Sequence, residues 1–362
     1  MSSRAAPGQS RGRGARSNAS GRFEREARVW VDDGWGGPEE WQGDATGQRT
    51  TETPDATRTI IARNQSPDIS FDRSINPYRG CEHGCIYCFA RPTHAFLGLS
   101  PGIDFETKLL YKPEAAALLE KELRAKSYEC RTLAIGTNTD PYQPIERRRQ
   151  VTRQVLEVLS RFNHPVGIVT KSDLVVRDID ILAPMAEKGL TKVALSVTTL
   201  DRRLARSMEP RAATPERRIE AIRKLTEAGI RTAVMTAPLI PSLNEPEMEA
   251  ILERAREAGA SEAGYILVRL PLEISGLFQE WLETEAPDRA SRIMKLIREM
   301  RGGKDYDSRW GQRMAGKGPY AEMMARRFRI AARRLGLNEE KRLLETKHFR
   351  VPPAPGDQLS FL

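Results

Sequence analysis

Three of the chain's four cysteines, Cys81, Cys85 and Cys88, fall within eight residues in a C-x3-C-x2-C pattern. Thiolates that close in sequence converge on one object, and soft sulfur donors select zinc, copper(I) or an iron–sulfur cluster. A structural zinc site wants a fourth ligand, and His83 and His94 are the candidates nearby. Cys130 lies 42 residues beyond Cys88 with no cysteine beside it. Three cysteines on a cubane cluster leave one iron without a protein ligand, open to a small molecule. The residues alone leave cluster and zinc both standing.

An aromatic residue, Tyr87, precedes the last cysteine, and the run extends from Asn76-Pro-Tyr-Arg-Gly-Cys81 through Cys88-Phe-Ala. This pattern resembles the radical S-adenosylmethionine (SAM) superfamily, in the branch that includes spore photoproduct lyase and its uncharacterised relatives. The resemblance implies a 4Fe–4S cluster on Cys81, Cys85 and Cys88, with SAM chelating the open iron. It also implies reductive cleavage of SAM to methionine and a 5′-deoxyadenosyl radical that abstracts hydrogen, while the protein orients and shields the chemistry. A one-electron reductant such as flavodoxin or ferredoxin is implied as a partner.

The rest of the chain must position that loop. Apolar strand-like runs alternate with amphipathic helices from about residue 58. Strands are expected at 70–77, 131–139, 165–171, 192–199, 231–239 and 264–270. Helices are expected at 113–126, 146–162, 176–188, 214–228 and 245–258, with Thr214 as an N-cap and Gly189 and Gly229 as stops. Such alternation predicts a parallel sheet covered by helices. Six units are too few for a closed eight-unit barrel, and the resemblance implies an open three-quarter (β/α)6 TIM-like barrel over roughly residues 70–275.

Site residues then lie at the C-terminal ends of strands. The resemblance assigns the SAM amino group to the turn Gly136-Thr137-Asn138-Thr139-Asp140-Pro141, where Asn138 and Asp140 are acceptors. The bland reading of that turn is an Asp before a Pro. Lys171 is a candidate for the SAM carboxylate or a substrate anion. Ser196 and Thr198, two apart and so on one strand face, are candidates for the ribose. Met235 through Pro238 resembles the segment that packs on the adenine, and Tyr87 is a second candidate there. Arg211, in Glu209-Pro-Arg211, matches a recurrent segment of the branch. Arg269 is a candidate for a substrate anion, with a surface salt bridge as the alternative. Cys130 opens the second strand and reads as a structural thiol. Thr137 stands where spore photoproduct lyase has its hydrogen-donating cysteine, and Phe89 where that enzyme has a tyrosine. The cofactor chemistry therefore carries over and the lyase's substrate does not.

The net charge of +9 is unevenly placed: +5 over residues 1–31, −6 over 32–57 and +8 over 298–350. A basic patch attracts phosphate backbones, although a solvated helix face is the simpler account. Residues 1–57, rich in Gly, Ser, Arg and Thr, read as a disordered tail, with Arg11 to Gly14 like a nucleic-acid arm and Trp30, Trp35 and Trp41 as docking points. The domain reading is 1–57 tail, 58–275 core, 276–350 basic helical extension and 351–362 flexible tail. In the extension, helices are expected at 287–300 and 320–335, lying across the barrel's open side or bottom. The second carries Arg326, Arg327, Arg329, Arg333 and Arg334, with Met323, Met324, Phe328, Ile330 and Ala331 as its core face. Gln358-Leu359-Ser360-Phe361-Leu362 resembles a peptide that docks on the bacterial sliding clamp, with its last pair reversed. No apolar run reaches the ~18 residues of a membrane span, and four cysteines without a disulfide pattern fit a reducing cytoplasm. The rival functions are a radical SAM enzyme of nucleic acid, one of a small metabolite or protein side chain, and a zinc-stabilised nucleic-acid-binding protein without redox chemistry.

Overall fold

The computed structural model describes residues 13–24, 49–340 and 342–353. Its strands are β1 (Thr51–Pro54), β2 (Ile61–Arg63), β3 (Arg73–Ile75), β4 (Tyr78–Arg79), β5 (Lys108–Tyr111), β6 (Leu133–Ile135), β7 (Val166–Thr170), β8 (Thr191–Ser196), β9 (Arg231–Leu239) and β10 (Glu262–Leu267). The main sheet runs β10-β9-β8-β7-β6-β3-β2, and β1-β5-β4 form a small second sheet. From β3 to β10 every neighbouring pair is parallel and in chain order, while β2 adds antiparallel to β3. The protein is therefore a mixed α/β fold on a parallel sheet, and β10 and β2 are its two unjoined edges.

The six expected parallel strands are all present: β9 has the expected bounds, β3, β6 and β7 are shorter, and β8 and β10 begin and end earlier. Their alternation separates two faces. Leu133, Ile135, Val166, Ile168, Val193, Leu195 and Val234 are buried in the main core against the covering helices. The opposite face carries small side chains, with Ala134, Gly167, Val169, Ala194 and Ala233 among them. At its C-terminal end Ser196, Met235 and Gly264 are register partners. At the N-terminal end Glu262 pairs with Lys192 at 3.0 Å and Arg231 at 2.9 Å, a charged floor. A parallel sheet is ordinarily buried on both faces; on this face Ala134 and Ala233 are buried, and Gly167, Val169 and Ala194 are half-buried.

Helices Ala115–Leu123, Ile179–Glu187, Pro215–Glu227 and Met248–Glu257 fall where expected. Thr214 sits at the N-cap of Pro215–Glu227, but its hydroxyl makes no capping bond. The expected helix 146–162 is split at Gln150, whose φ is 52°. The cause is the buried Glu146 carboxylate, which accepts from Thr152 N (2.9 Å) and Arg153 N (3.3 Å) and so caps the second piece.

Three expectations are corrected. Residues 13–24 are not a free tail: Gly14 N and Ala15 N donate to the Glu106 carboxylate at 2.9 and 2.8 Å, and Thr51–Pro54 pairs with β5. Composition reads as disorder there, but a buried carboxylate that needs donors outweighs it. The C-terminal extension does not simply lie across the side or bottom. Helix Ile274–Glu285, not expected, joins Pro287–Met300 in a second apolar cluster with Cys85, Ile86 and Tyr87, above the strand ends. Helix Pro319–Arg334 packs beside Met248–Glu257 through Met324, Phe328 and Ala331, while Met323 and Ile330 face solvent. Trp30, Trp35, Trp41 and Gln358–Leu362 lie outside the described residues. No helix among those described is long and apolar enough to cross a membrane.

Residues 342–353 pass beneath the strands' N-terminal ends, with Glu345 N on Gly189 O and Arg350 N on Phe162 O, both at 3.0 Å. Phe349 packs there edge-on to His164. Burial lowers the His164 pKa to about 4, helped by Arg73 and opposed by the Pro165 carbonyl. The unfolded chain therefore protonates first, so this contribution is full above pH ~6.5 and declines toward pH 4. The expected loss between pH 7 and pH 5 is about 2 kcal/mol. Urea midpoints at the two pH values should show it, and His164→Gln should remove it; an equal pH slope in the variant would refute the assignment.

Candidate active site

The cysteine loop has no regular structure, so its backbone groups need other partners. Arg91, fully buried, supplies them. It donates to Cys85 O (2.9 Å), Gly84 O (3.0 Å), Pro101 O (3.1 Å), Gly102 O (2.9 Å) and Glu106 Oε1 (2.5 Å), using all five N–H groups. Gln143, also buried, accepts from Glu82 N and donates to Gly80 O. The N-terminal segment completes the cradle. A Cβ on Gly14 would lie 1.8 Å from Gly84 O, so only glycine lets that segment seat.

Cys81 and Cys85 are buried and Cys88 is half-buried. Burial pushes the Cys81 thiol well up, and Asp140, Cys85 and Cys88 add to the effect. Burial likewise raises Cys85 to about 12, with Glu209 and Cys88 adding and Lys171 opposing. Thiols that crowd one another in this way suit a bound cationic centre, which reverses the preference. Among the described residues no three His, Cys, Asp or Glu side chains converge on one metal ion. His94, a zinc candidate, is a core residue with Nε2 2.9 Å from Lys108 O.

The candidates from the other strand ends divide into two groups. Thr137 and Asn138 are half-buried at the end of β6, and their side chains have no hydrogen bond among the described residues. Lys171 Nζ stands 5.7 Å from the Tyr87 ring centroid, within electrostatic reach of Cys85 and Glu209, with no ion pair. Ser196 and Met235 sit side by side on the open face, and Met235 Sδ occupies the space a Gly264 Cβ would need. At these four strand ends Ser196 is buried, and Thr137, Asn138, Lys171 and Met235 are half-buried.

Asp140 and Thr198 belong to the scaffold instead. Asp140 accepts from Thr170 Oγ1 (2.7 Å), Tyr142 N (2.9 Å) and Lys171 N (2.7 Å), with His83 Nδ1 at 3.3 Å. Burial alone raises its pKa, but His83 and these donors outweigh it and hold it at about 2. The carboxylate ties the β6 turn to the end of β7. Thr198 donates to Glu209 Oε1 at 2.6 Å, and the Tyr87 hydroxyl donates to the same oxygen. Arg218, buried, pairs with Glu209 and donates to Ser196 O at 3.0 Å. Arg211 pairs with Glu82 at 3.2 Å, next to Cys81. Cys130 lies before β6 at the far end of the strands, its thiol raised to about 11 by burial.

Sequence reasoning missed Arg91, Glu106, Glu209 and Arg218. No local pattern marks a buried ion pair. Helix Ile274–Glu285 did carry a signal: Ile274, Leu277, Phe278, Trp281 and Leu282 recur at helical spacing.

The family model described as the Radical SAM superfamily matches residues 75–255, half the chain, from the cysteine loop through β9. The chain belongs to the radical SAM superfamily. It is 36% identical over 242 residues to an uncharacterised protein of Mycobacterium tuberculosis, covering 66% of this chain and 71% of that one. It is 28% identical over 215 residues to an uncharacterised protein of Methanocaldococcus jannaschii, covering 59% and 76%. Among solved structures it resembles spore photoproduct lyase complexed with dinucleoside spore photoproduct, with a TM-score of 0.55, 17% identity, and 79% and 80% of the two chains covered. A spore photoproduct lyase variant with bound AdoMet and dinucleoside spore photoproduct aligns at TM-score 0.56 and 15% identity, with the same coverage. At such identities these likenesses establish the fold alone. Membership of the radical SAM superfamily implies a 4Fe–4S cluster and SAM, and the three-cysteine donor set fits the cluster.

Proposed function

We propose that Cys81, Cys85 and Cys88 hold a 4Fe–4S cluster and that the chain is a radical SAM enzyme acting on a nucleic acid. When bound, the cluster supplies the electron that splits SAM to methionine and a hydrogen-abstracting 5′-deoxyadenosyl radical. The observation that carries this reading is the three-cysteine loop braced at the C-terminal ends of a parallel sheet whose facing surface carries small side chains. In this reading the sheet curls as a partial (β/α)6 barrel, and its open face is the cofactor chamber. Asn138 and Thr137 accept from the SAM amino group, Lys171 meets its carboxylate, Ser196 faces the ribose and Met235 the adenine. Arg91 and Gln143 hold the loop, and helix Ile274–Glu285 excludes water from above it.

Several features favour a nucleic acid over a small metabolite or protein side chain. The net charge is +9. On helix Pro319–Arg334, Arg326, Arg329 and Arg333 are exposed and have no ion pair among the described residues. The structural neighbours named above carry a dinucleoside ligand. Thr137 and Phe89, at the positions of the lyase's cysteine and tyrosine, point to a different route for returning hydrogen. A flavodoxin- or ferredoxin-type reductant, a cytoplasmic location and clamp docking through Gln358–Leu362 belong to the same proposal.

The test is anaerobic reconstitution with iron and sulfide, followed by absorption spectroscopy and a 5′-deoxyadenosine assay with dithionite and SAM. A brown protein that releases deoxyadenosine is expected. A colourless protein with one zinc per chain and no iron would overturn the reading in favour of a structural cysteine loop.

A further inference from the structure

The loop between helices Pro287–Met300 and Pro319–Arg334 bridges the two edges of the main sheet. At one edge Leu267 N, at the end of β10, donates to Met314 O at 3.0 Å. At the other, in the β2–β3 hairpin, Asp68 accepts from Gly311 N at 2.6 Å and pairs with Arg313, which also donates to Ser66 Oγ. Guanidinium groups gather where this strap meets the cysteine loop. Arg301 is fully buried and, among the described residues, forms no ion pair with a carboxylate. It donates to the carbonyls of Gln312, Leu267 and Val268, and its Nε has no acceptor. Arg269, just past β10, lies with its guanidinium carbon 4.0 Å from the centroid of the Phe89 ring, and Phe89 follows the cluster cysteine Cys88 directly.

Arg269 is half-buried, and among the described residues it makes no hydrogen bond or ion pair. Arg313, Cys88, Tyr306 and Asp68 are within its electrostatic reach, but Asp68 is committed to Arg313 and Gly311. Burial holds both Arg269 and Arg301 below the usual arginine value, and each lowers the other or is lowered by a neighbouring guanidinium. Arg269 and Arg313 therefore share Asp68, and Arg301 is within reach of Asp307, which is itself paired with Arg309. A desolvated cation without a partner is costly unless a ligand supplies the counter-charge. A guanidinium fork takes an oxyanion through paired N–H bonds while one face stays stacked on an aromatic ring. Both aromatic rings are exposed: Phe89 is 40% exposed, and Trp310, between Arg309 and Gly311 on the strap, is 61% exposed.

We propose that Arg269, stacked on Phe89 beside Cys88, receives a phosphodiester of a single-stranded nucleic acid, with Phe89 and Trp310 as stacking surfaces for its bases. Aromatic faces interleaved with cations are how unpaired strands are held, and residues 301–334, which form the strap and the helix after it, carry a net +7. The inference rests on the reading of the cysteine loop as a radical centre, since it puts the phosphodiester, and hence the neighbouring sugar or base, next to that centre.

The test is fluorescence anisotropy of the full-length reconstituted protein with a labelled single-stranded oligodeoxynucleotide of about 15 nucleotides, at about 50 and about 200 mM salt. Arg269→Gln is expected to weaken binding roughly tenfold or more and to reduce the salt slope by about 1. Arg269→Lys should recover little, because a point charge does not replace the stacked fork. Trp310→Ala, at an exposed position that leaves the fold intact, should weaken binding roughly tenfold. Unchanged affinity and salt slope in Arg269→Gln would overturn the site. Equal competition by polyglutamate would overturn the phosphodiester assignment in favour of a carboxylate. Deoxyadenosine release by the wild-type protein is followed in parallel. Its absence refutes the radical centre without touching the binding result, whereas Arg269-independent DNA binding alongside intact release refutes this site alone.

Discussion

Arg91→Ala is expected to destabilise the protein by about 3–5 kcal/mol, the usual cost of stranding one member of a buried ion pair. Glu106, its fully buried partner, would keep the Gly14 and Ala15 amides and the nearby charge of Arg13. The carbonyls of Gly84, Cys85, Pro101 and Gly102 would lose their donor together. Two of those carbonyls belong to the cysteine loop, so iron loading should fall as well as stability. Arg91→Lys should restore the charge opposite Glu106 but not the five-point geometry, and so recover stability better than iron content. Urea unfolding and iron per chain after reconstitution are the measurements. A variant within about 1 kcal/mol of the parent and with full iron content would show that the loop does not depend on Arg91.

Glu209→Ala is expected to have a comparable effect from the other side of the loop, about 3–5 kcal/mol. Burial works against the Glu209 charge, but Arg218 and Lys171 overcome it and hold its pKa at about 2. Removing the carboxylate leaves Arg218, also buried, facing only the carbonyls of Ser196 and Ala213. It also frees the hydroxyls of Tyr87 and Thr198, which share Glu209 Oε1. Tyr87 lies between two cluster cysteines, so its ring should lose its fixed position under Lys171. The double variant Glu209→Leu/Arg218→Met removes both charges and should be more stable than Glu209→Ala by at least about 1 kcal/mol. A double variant as unstable as the sum of the single changes would show that the two groups act independently.

These two networks mark what could not be read in advance. Arg91 and Glu106 are 15 residues apart and Glu209 and Arg218 are nine apart, in segments with no periodic pattern to link them. Asp140 shows the same limit from the opposite direction. It stands at a strand end, where a ligand-binding carboxylate is expected, yet the folded chain surrounds it with donors from β7. Thr198 is likewise turned to Glu209. Asn138, Lys171 and Met235 stand half-buried at the strand ends, and Ser196 is buried there, because a strand's C-terminal end is set by local alternation.

By itself the sequence determined the cysteine triplet, the six parallel strands in order, the helices between them and the superfamily. Each of these rests on short-range spacing: three and two residues between thiols, period two in strands, and 3.6 in helices. Only the tertiary structure decided which polar residues at the strand ends are consumed in bracing the cysteine loop and the turns around it. It also decided that Arg13 to Ala15 close the cysteine loop, and that a C-terminal strap brings Arg269, Arg301 and Arg313 to its mouth. Those outcomes depend on desolvation and charge pairing between distant segments, and such energies exist only once the chain has brought the groups together.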